Sequence, residues 1–484
     1  MTFRLYGITG KCPKKNKKMT PVNSGEFIGF LVKVDNMKPM KFYLITDTHY
    51  FKNSLGAYGS GYENFMRYEQ KCYAETESIN KSVFSWLKTA DEADILLIAG
   101  DLSFNGEKES HLEFIKLLNE LKLAGKQIYV VSADHDINKN PFAYNGGERI
   151  PVEPIDRMDI YDLYYEFGFS QAIAVDKKHL SYVAQLGDRV RLLALNNDYD
   201  NQKYFDDEQI EWIKQQARKA REDGQTMIAM NHYPLLPGQP LFSLINSTYQ
   251  KNSYEVVNML ADEGVHIVFT GHMHNQSINE FITEKGNKFY DVCTSSIIAH
   301  PSIIRHVTVD NDIVDIKSIN APDFEWDTNG KTCPQYLTDL FDGMILNILY
   351  DMKAAPERAL GKFGLADKKG LYPIVKLVGR FLNSVTVGTM SKVFIIKCDK
   401  SLKKVLLKDY VAKLVRGIFV GNQTYVEGTS EGDLFIAFLK RINPILKKIN
   451  TKGFDSKPVD MFDVLKTTAG NYGLDDYNEK IKLK

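Results

Sequence analysis

The chain has 484 residues, with 61 Lys+Arg against 61 Asp+Glu, so its formal net charge is zero. At 44% hydrophobic and 12% aromatic residues it can bury a sizeable core, which excludes a disordered chain; its length fits two or three domains. The charge balance excludes a general attraction to nucleic acid or anionic membrane and leaves a local basic patch open.

Residues 1–38 read as an N-terminal extension, in which 25–34 has the pattern of a short edge strand. Lys11, Lys14, Lys15, Lys17 and Lys18 form a basic run, but no apolar stretch of signal-peptide type follows directly. No segment reaches the ~18 consecutive apolar residues of a membrane span. The expectation is a cytoplasmic protein as written, and an extracytoplasmic one if a native leader is missing. Cys12, Cys72, Cys293, Cys333 and Cys398 are odd in number and form no C-x-x-C pair, which predicts reduced, structural thiols.

From 39 to 322 short apolar runs alternate with amphipathic stretches. Lys41–Thr46, Ile95–Ala99, Ile128–Ser132, Arg191–Leu195, Met227–Met230 and His266–Thr270 have the pattern of strands buried on both faces. Between them, Glu107–Ala124 predicts a helix closed by Gly125, and Asp206 or Asp207 caps another through Ala217. This order argues an α/β fold. After Gly271 the runs at 288–292, 304–309 and 313–319 predict a second, mixed sheet. From 323 to 484 the period becomes helical, at 335–352, 371–382, 402–419 and 434–446, which predicts a separate helical C-terminal domain. That region contains no histidine, so the chemistry is expected before it.

Five predicted strands deliver Asp or His just past their carboxyl ends. They run into Asp47-Thr48-His49, Gly100-Asp101, Ala133-Asp134-His135-Asp136, Asn231-His232 and Gly271-His272-Met273-His274. Ligands of open α/β sheets bind at that edge. Side chains two apart on a strand share a face, which predicts that Asp47 and His49, and likewise His272 and His274, point the same way. Mixed carboxylate and imidazole donors suit Mn, Fe or Zn. The set Asp47, His49, Asp101, Asp134, His232, His272 and His274 exceeds what one tetrahedral ion needs and suits two ions. Two ions about 3.5–4 Å apart can clamp a phosphate and activate a water for in-line attack.

These motifs, over roughly Pro39 to Ile319, resemble the calcineurin-like metallophosphoesterases. Gly100-Asp101-Leu102-Ser103 with Asn105-Gly106-Glu107, Asn231-His232-Tyr233-Pro234-Leu235, and Leu193–Asn196 followed by the Glu208–Trp212 helix are similar to the bacterial branch that includes class III cyclic-nucleotide phosphodiesterases. The resemblance implies a four-layer sandwich of two mixed sheets flanked by helices, and hydrolysis of a phosphate ester of small-molecule or nucleotide size. It implies one ion on Asp47, His49 and His274, a bridging Asp101, and a second ion on Asp134, His232 and His272. His135 would stand beside the phosphate as proton donor or transition-state stabiliser. The family pattern has Gly-Asn-His where this chain has Ala133-Asp134-His135. An extra carboxylate holds a cation harder and repels an anionic substrate. A catalytically impaired, metal-dependent binding protein is therefore an alternative. A nuclease is a second one, which the zero net charge disfavours without excluding it. The oligomeric state is not fixed by the sequence.

Among the remaining candidates, His111 is expected on the surface and His266 in a structural role. His300 is either a substrate contact or a packed strand-edge residue. Asp136 is a candidate to orient His135, and Tyr50 and Asn53 are candidates to line the pocket.

Overall fold

In the computed structural model, which describes residues 38–197, 203–245, 248–362, 365–470 and 473–483, the apolar runs of the middle region become short strands. The edge strand expected at 25–34 lies outside the described residues. The strands of the first half are β1 (Met40–Ile45), β2 (Ile95–Ala99), β3 (Gln127–Val131), β4 (Phe142–Asn145), β5 (Glu148–Pro151), β6 (Ala172–Asp176), β7 (Ser181–Gln185) and β8 (Val190–Ala194). They continue as β9 (Thr226–Met230), β10 (Ile267–Thr270), β11 (Ser277–Ile282), β12 (Lys288–Cys293), β13 (Ile303–Asp310), β14 (Ile313–Asn320) and β15 (Glu479–Lys482). One mixed sheet has the order β15-β14-β13-β1-β2-β3, a second has β11-β12-β10-β9-β8-β7-β6, and β4-β5 is a separate hairpin.

The two sheets pack face to face, with Phe42 of β1 edge-on to Phe269 of β10 at 5.3 Å. Alternation along the second sheet sorts its residues. Leu192, Ile228, Met230 and Phe269 join the core between the sheets, while Leu193, Ala229 and Val268 join a second core under the outer helices. Helices Thr76–Thr89 and Lys108–Leu123 cover the first sheet through Val83, Phe84, Phe114 and Leu118. Helices Asp207–Glu222 and Ser253–Asp262 cover the second through Ile213, Ala217, Val257 and Leu260. This is the expected α/β sandwich of two mixed sheets, with a helical C-terminal region.

One grouping is corrected. The strands after Gly271 do not form one sheet of their own. β11 and β12 extend the second sheet, whereas β13 pairs antiparallel with β1 and β14 with β13, extending the first. Alternation marks a strand but carries no information about which edge it joins.

Beyond 323 the helices Cys333–Ala354, Pro356–Gly361, Tyr372–Ser384, Val387–Val393, Leu407–Val420, Ser430–Leu446 and Met461–Ala469 build two small cores, around Val387, Met390 and Leu434 and around Phe341 and Leu349. The helix predicted from 402 begins at Leu407. Residues 401–404 instead form a turn, with Val405 N donating to the Leu402 carbonyl, and the carbonyls of Lys403 and Val405 accept from Gly388 and Val387. The chain then returns to the first sheet, where β15 pairs with β14 in the register Ile313↔Lys482. Among the described residues no helix is long and apolar enough to cross a membrane. Cys72, Cys293, Cys333 and Cys398 are free.

Candidate functional site

The parallel strands β1, β2 and β3 of one sheet and β9 and β10 of the other end at a common edge, and each turns there into one of the Asp/His motifs. Asp47, His49, Asp101, His272 and His274 lie past the strand ends with φ between 37° and 66°. Each such left-handed conformation costs a non-glycine residue roughly 1–2 kcal/mol. The surrounding backbone holds them there: Asp47 N donates to the Gly100 carbonyl at 3.0 Å, His49 N to Asp101 at 2.9 Å, and Gly271 N to His232 at 2.9 Å. Strand alternation is therefore not what aims these side chains. His272 and His274, expected to point together, fall into different clusters.

The motif glycines have a steric cause. A Cβ on Gly100 would lie 2.6 Å from His232 Nδ1, and one on Gly271 would lie 2.0 Å from Thr46 Oγ1. Both are needed for the strand ends to come close enough to share a site.

All seven predicted donors converge. Asp47, His49 and His274 form one cluster, and Asp101, Asp134, His232 and His272 form another. In the first, His274 Nε2 is 3.1 Å from Asp47 Oδ1 and 3.2 Å from His49 Nε2. Asp101 Oδ2 lies between the clusters, 3.5 Å from His49 Nε2 and 3.2 Å from His232 Nε2. His232 Nδ1–H donates to the Ala99 carbonyl at 2.8 Å, which turns the Nε2 lone pair toward Asp101.

The donor set fits a bound cation. Asp134 Oδ1 and His274 Nδ1 are buried without a hydrogen bond among the described residues, and Asp47 Oδ1 and His232 Nε2 meet only other members of the clusters. A self-sufficient polar network would not leave that many buried groups unsatisfied. The charge balance agrees. Burial works to lower the pKa of His232, but the Asp101 and Asp47 carboxylates outweigh it and push it up to about 10. Negative charge packed this tightly calls for a counter-cation.

His135 stands beside both clusters, its ring 4.8 Å from that of His49. Its Nδ1–H donates to the Phe104 carbonyl at 2.8 Å, which leaves Nε2 to face Lys71 Nζ at 3.5 Å. Burial and the neighbouring Lys71 lower its pKa.

Residues 40–276 match the family described as calcineurin-like phosphoesterase. The chain carries a calcineurin-like phosphoesterase domain. The chain is a phosphoric ester hydrolase, and the family matched over that segment uses divalent metal ions. Among solved structures it is similar to a dimetal phosphatase from Danio rerio, at 12% identity and a TM-score of 0.43, covering 59% of this chain and 98% of that one. It is similar to a purple acid phosphatase from yellow lupin, at 13% identity and a TM-score of 0.41, covering 59% and 52%. A 5'-nucleotidase precursor from Thermus thermophilus matches at 12% identity and a TM-score of 0.35, covering 58% and 54%. No curated protein sequence matches the chain.

Several residues around the phosphoesterase site were not legible in the sequence. Lys71 is buried, with Nζ 3.3 Å from His49 Nδ1 and 3.5 Å from His135 Nε2, and it lies over the Phe104 ring. Among the described residues it has no carboxylate within ion-pair distance. Lys203 Nζ is 3.1 Å from Asp134 Oδ2 and lies over the Tyr233 ring. Tyr233 also accepts from the Asp134 backbone N–H through its hydroxyl. Asp291 accepts from Leu235 N, Leu236 N and Thr270 Oγ1, tying the loop after His232 to the strand before His272.

Other expectations are revised. His111 is buried, not exposed. Its Nδ1 accepts from the Tyr164 hydroxyl at 2.7 Å, its Nε2–H donates to the Asp136 carbonyl, and burial lowers its pKa to about 4. The spacing of His111, Phe114, Leu118 and Leu121 carried that signal, since it places His111 on the core face. Asp136 does not contact the His135 ring. It accepts from Leu102 N, Ser103 N and Ala133 N, and so locks the Asp101 loop to the Asp134 loop. His300 accepts from the Thr338 hydroxyl and packs on Phe341 of the helical region. Tyr50 is core, and Asn53 donates to the Ala74 carbonyl. His266 bonds the Lys288 carbonyl, in keeping with a structural role.

Proposed function

We propose that this chain hydrolyses a phosphate ester of small-molecule or nucleotide size at a two-cation site held by Asp47, His49, Asp101, Asp134, His232, His272 and His274. The observation that carries this reading is the position of Asp101 Oδ2, within 3.5 Å of a histidine from each cluster. Carboxylate and imidazole together favour Mn, Fe or Zn. Ions bound there supply Lewis acidity toward the phosphoryl oxygens and a nucleophilic water.

The chain's own groups do the rest. The Phe104 carbonyl fixes the His135 tautomer, so that Nε2 faces the departing oxygen and passes it a proton when the ring is protonated. The Lys71 ammonium, beside that nitrogen, neutralises charge that develops on the phosphoryl group. Lys203 offsets the additional charge of Asp134, which favours an active enzyme over an impaired binding protein. We further read the chain as a relative of the bacterial branch with class III cyclic-nucleotide phosphodiesterases. In support, Tyr233 of the Asn231–Leu235 motif braces Asp134, and buried Glu107 of the Gly100–Glu107 motif accepts from Asn105 N. We assign catalysis to 39–322 and a separate supporting role to 323–484.

The test is turnover of bis(p-nitrophenyl) phosphate and p-nitrophenyl phosphate by chelator-stripped protein reloaded with Mn, Fe, Zn or Mg, with metal content measured in parallel. Two ions per chain and metal-dependent cleavage, falling roughly 10²–10⁴-fold in His135→Ala, are expected. Two bound ions with no cleavage of either compound would overturn the assignment for esters of this size.

A further inference from the structure

Ile395 is an unusual residue in this fold. It is 77% exposed and sits at a φ of 54°. A β-branched side chain in the left-handed region is disfavoured by the backbone, and an exposed isoleucine is disfavoured by water. The end of the helix Val387–Val393 sets that backbone, since Ile396 N donates to the Ser391 carbonyl and Ile395 N to the Lys392 carbonyl, but nothing in the fold or in water asks for an exposed isoleucine there.

Its neighbourhood repeats the pattern. Val393, two residues before, is 61% exposed. Arg441 of the helix Ser430–Leu446 donates to the Ile395 carbonyl at 2.8 Å, which brings that helix alongside. One turn on from Arg441, Ile445 is 66% exposed, and Ile449, just past the end of that helix, is exposed as well. The surrounding charge has one sign. Segments 385–408 and 434–454 carry six and five Lys+Arg, against Asp399 alone, in a chain that is neutral overall. Lys392, Lys397, Lys440, Arg441, Lys447 and Lys448 are exposed, and none of them is in an ion pair among the described residues.

We propose that this surface, centred on Ile395 and Ile445, docks the protein on an anionic lipid bilayer. Exposed aliphatic side chains enter the acyl boundary while lysines and arginine engage the phosphate headgroups. Charge selects this occupant. A nucleic acid would use the cations but leave the isoleucines in water, and the patch offers no exposed aromatic ring for base stacking. A second copy through the same face would set like charge against like. The segment lies in the helical region, apart from the phosphoesterase site, so docking does not depend on turnover.

The experiment is co-sedimentation of the full chain with phosphatidylcholine vesicles, with and without phosphatidylglycerol, at low and high salt. Binding only to the anionic vesicles, weakened by salt, is expected. Ile395→Ser with Ile445→Ser lowers the partition coefficient about ten-fold, and Lys447→Glu with Lys448→Glu at least as much. Ile395→Asn separates docking from folding. Asparagine tolerates the left-handed backbone, so this variant gains thermal stability while binding the vesicles more weakly than wild type. Wild-type protein left in the supernatant with both vesicle types overturns the proposal, as does binding that the isoleucine variants leave unchanged. Self-association of the free protein that disappears in the isoleucine variants, with no vesicle binding, overturns it in favour of a protein partner.

Discussion

The two donor clusters are built from the same residue types and differ in how each is neutralised. Asp47, His49 and His274 are all buried, and the cation beside them, Lys71, faces imidazoles and has no carboxylate of its own among the described residues. In the other cluster Asp134 and His272 are only half-buried, and its cation, Lys203, is committed to Asp134. One lysine thus remains available to an incoming anion, while the other is spent on balancing an internal charge. A lysine's role here follows from its nearest partner, not from its distance to the site.

The largest test breaks both clusters at once. Asp101→Asn removes the charge they share and is expected to cost on the order of 10³-fold or more in kcat/KM, with metal content reduced at both positions. Near-normal turnover in that variant would sink the shared-site reading. Lys71→Met addresses the first cluster alone. A loss of about 10²-fold in kcat/KM, with unchanged metal content and partial recovery in Lys71→Arg, is expected; a loss of bound metal instead would make Lys71 structural.

The second cluster is tested by a double-mutant cycle. Asp134→Asn and Lys203→Met each lower activity, and the double variant recovers part of it, with a coupling of roughly 0.5–3 kcal/mol. Strict additivity would mean that Lys203 does not compensate Asp134. The smallest effect concerns the brace of that cluster. Burial pushes the Asp291 carboxyl from 3.8 up to about 7, against the hydrogen bonds it accepts. The folded chain then holds a proton that the unfolded chain releases near pH 4, so this group's contribution to stability falls as pH rises from about 4 to about 7. Asp291→Asn should remove that component, and its Tm relative to wild type should rise by a few degrees across the window. Parallel Tm curves would show that Asp291 does not titrate there.

The donors were legible because each follows an apolar strand at an edge where parallel strands end, a pattern written locally at Asp47, Asp101, Asp134, His232 and His272. The α/β order was legible for the same reason, whereas the sandwich of two sheets was an implication of the family resemblance. Their division into clusters was not, since loop backbones at positive φ, rather than strand alternation, separate His272 from His274. Lys71 and Lys203 were invisible because each reaches the site from a loop remote in sequence, where a lysine has no periodicity to mark it. His111 was misread although its spacing was informative; the charged residues around it in the helix obscured the core face.

The last strand sets the timing of assembly during synthesis. β15 is short and charged, with Glu479, Lys480 and Lys482, as suits a strand that ends a sheet and discourages foreign pairing. It is also translated only after the whole helical region. At about 5–20 residues per second, the ribosome needs on the order of ten seconds to pass from β14 to β15. Through that interval a nascent chain that has already formed β14 presents its bare edge to the crowded surroundings of the ribosome. Slow stretches of translation between Asn320 and Glu479 would lengthen that exposure, and faster ones would shorten it.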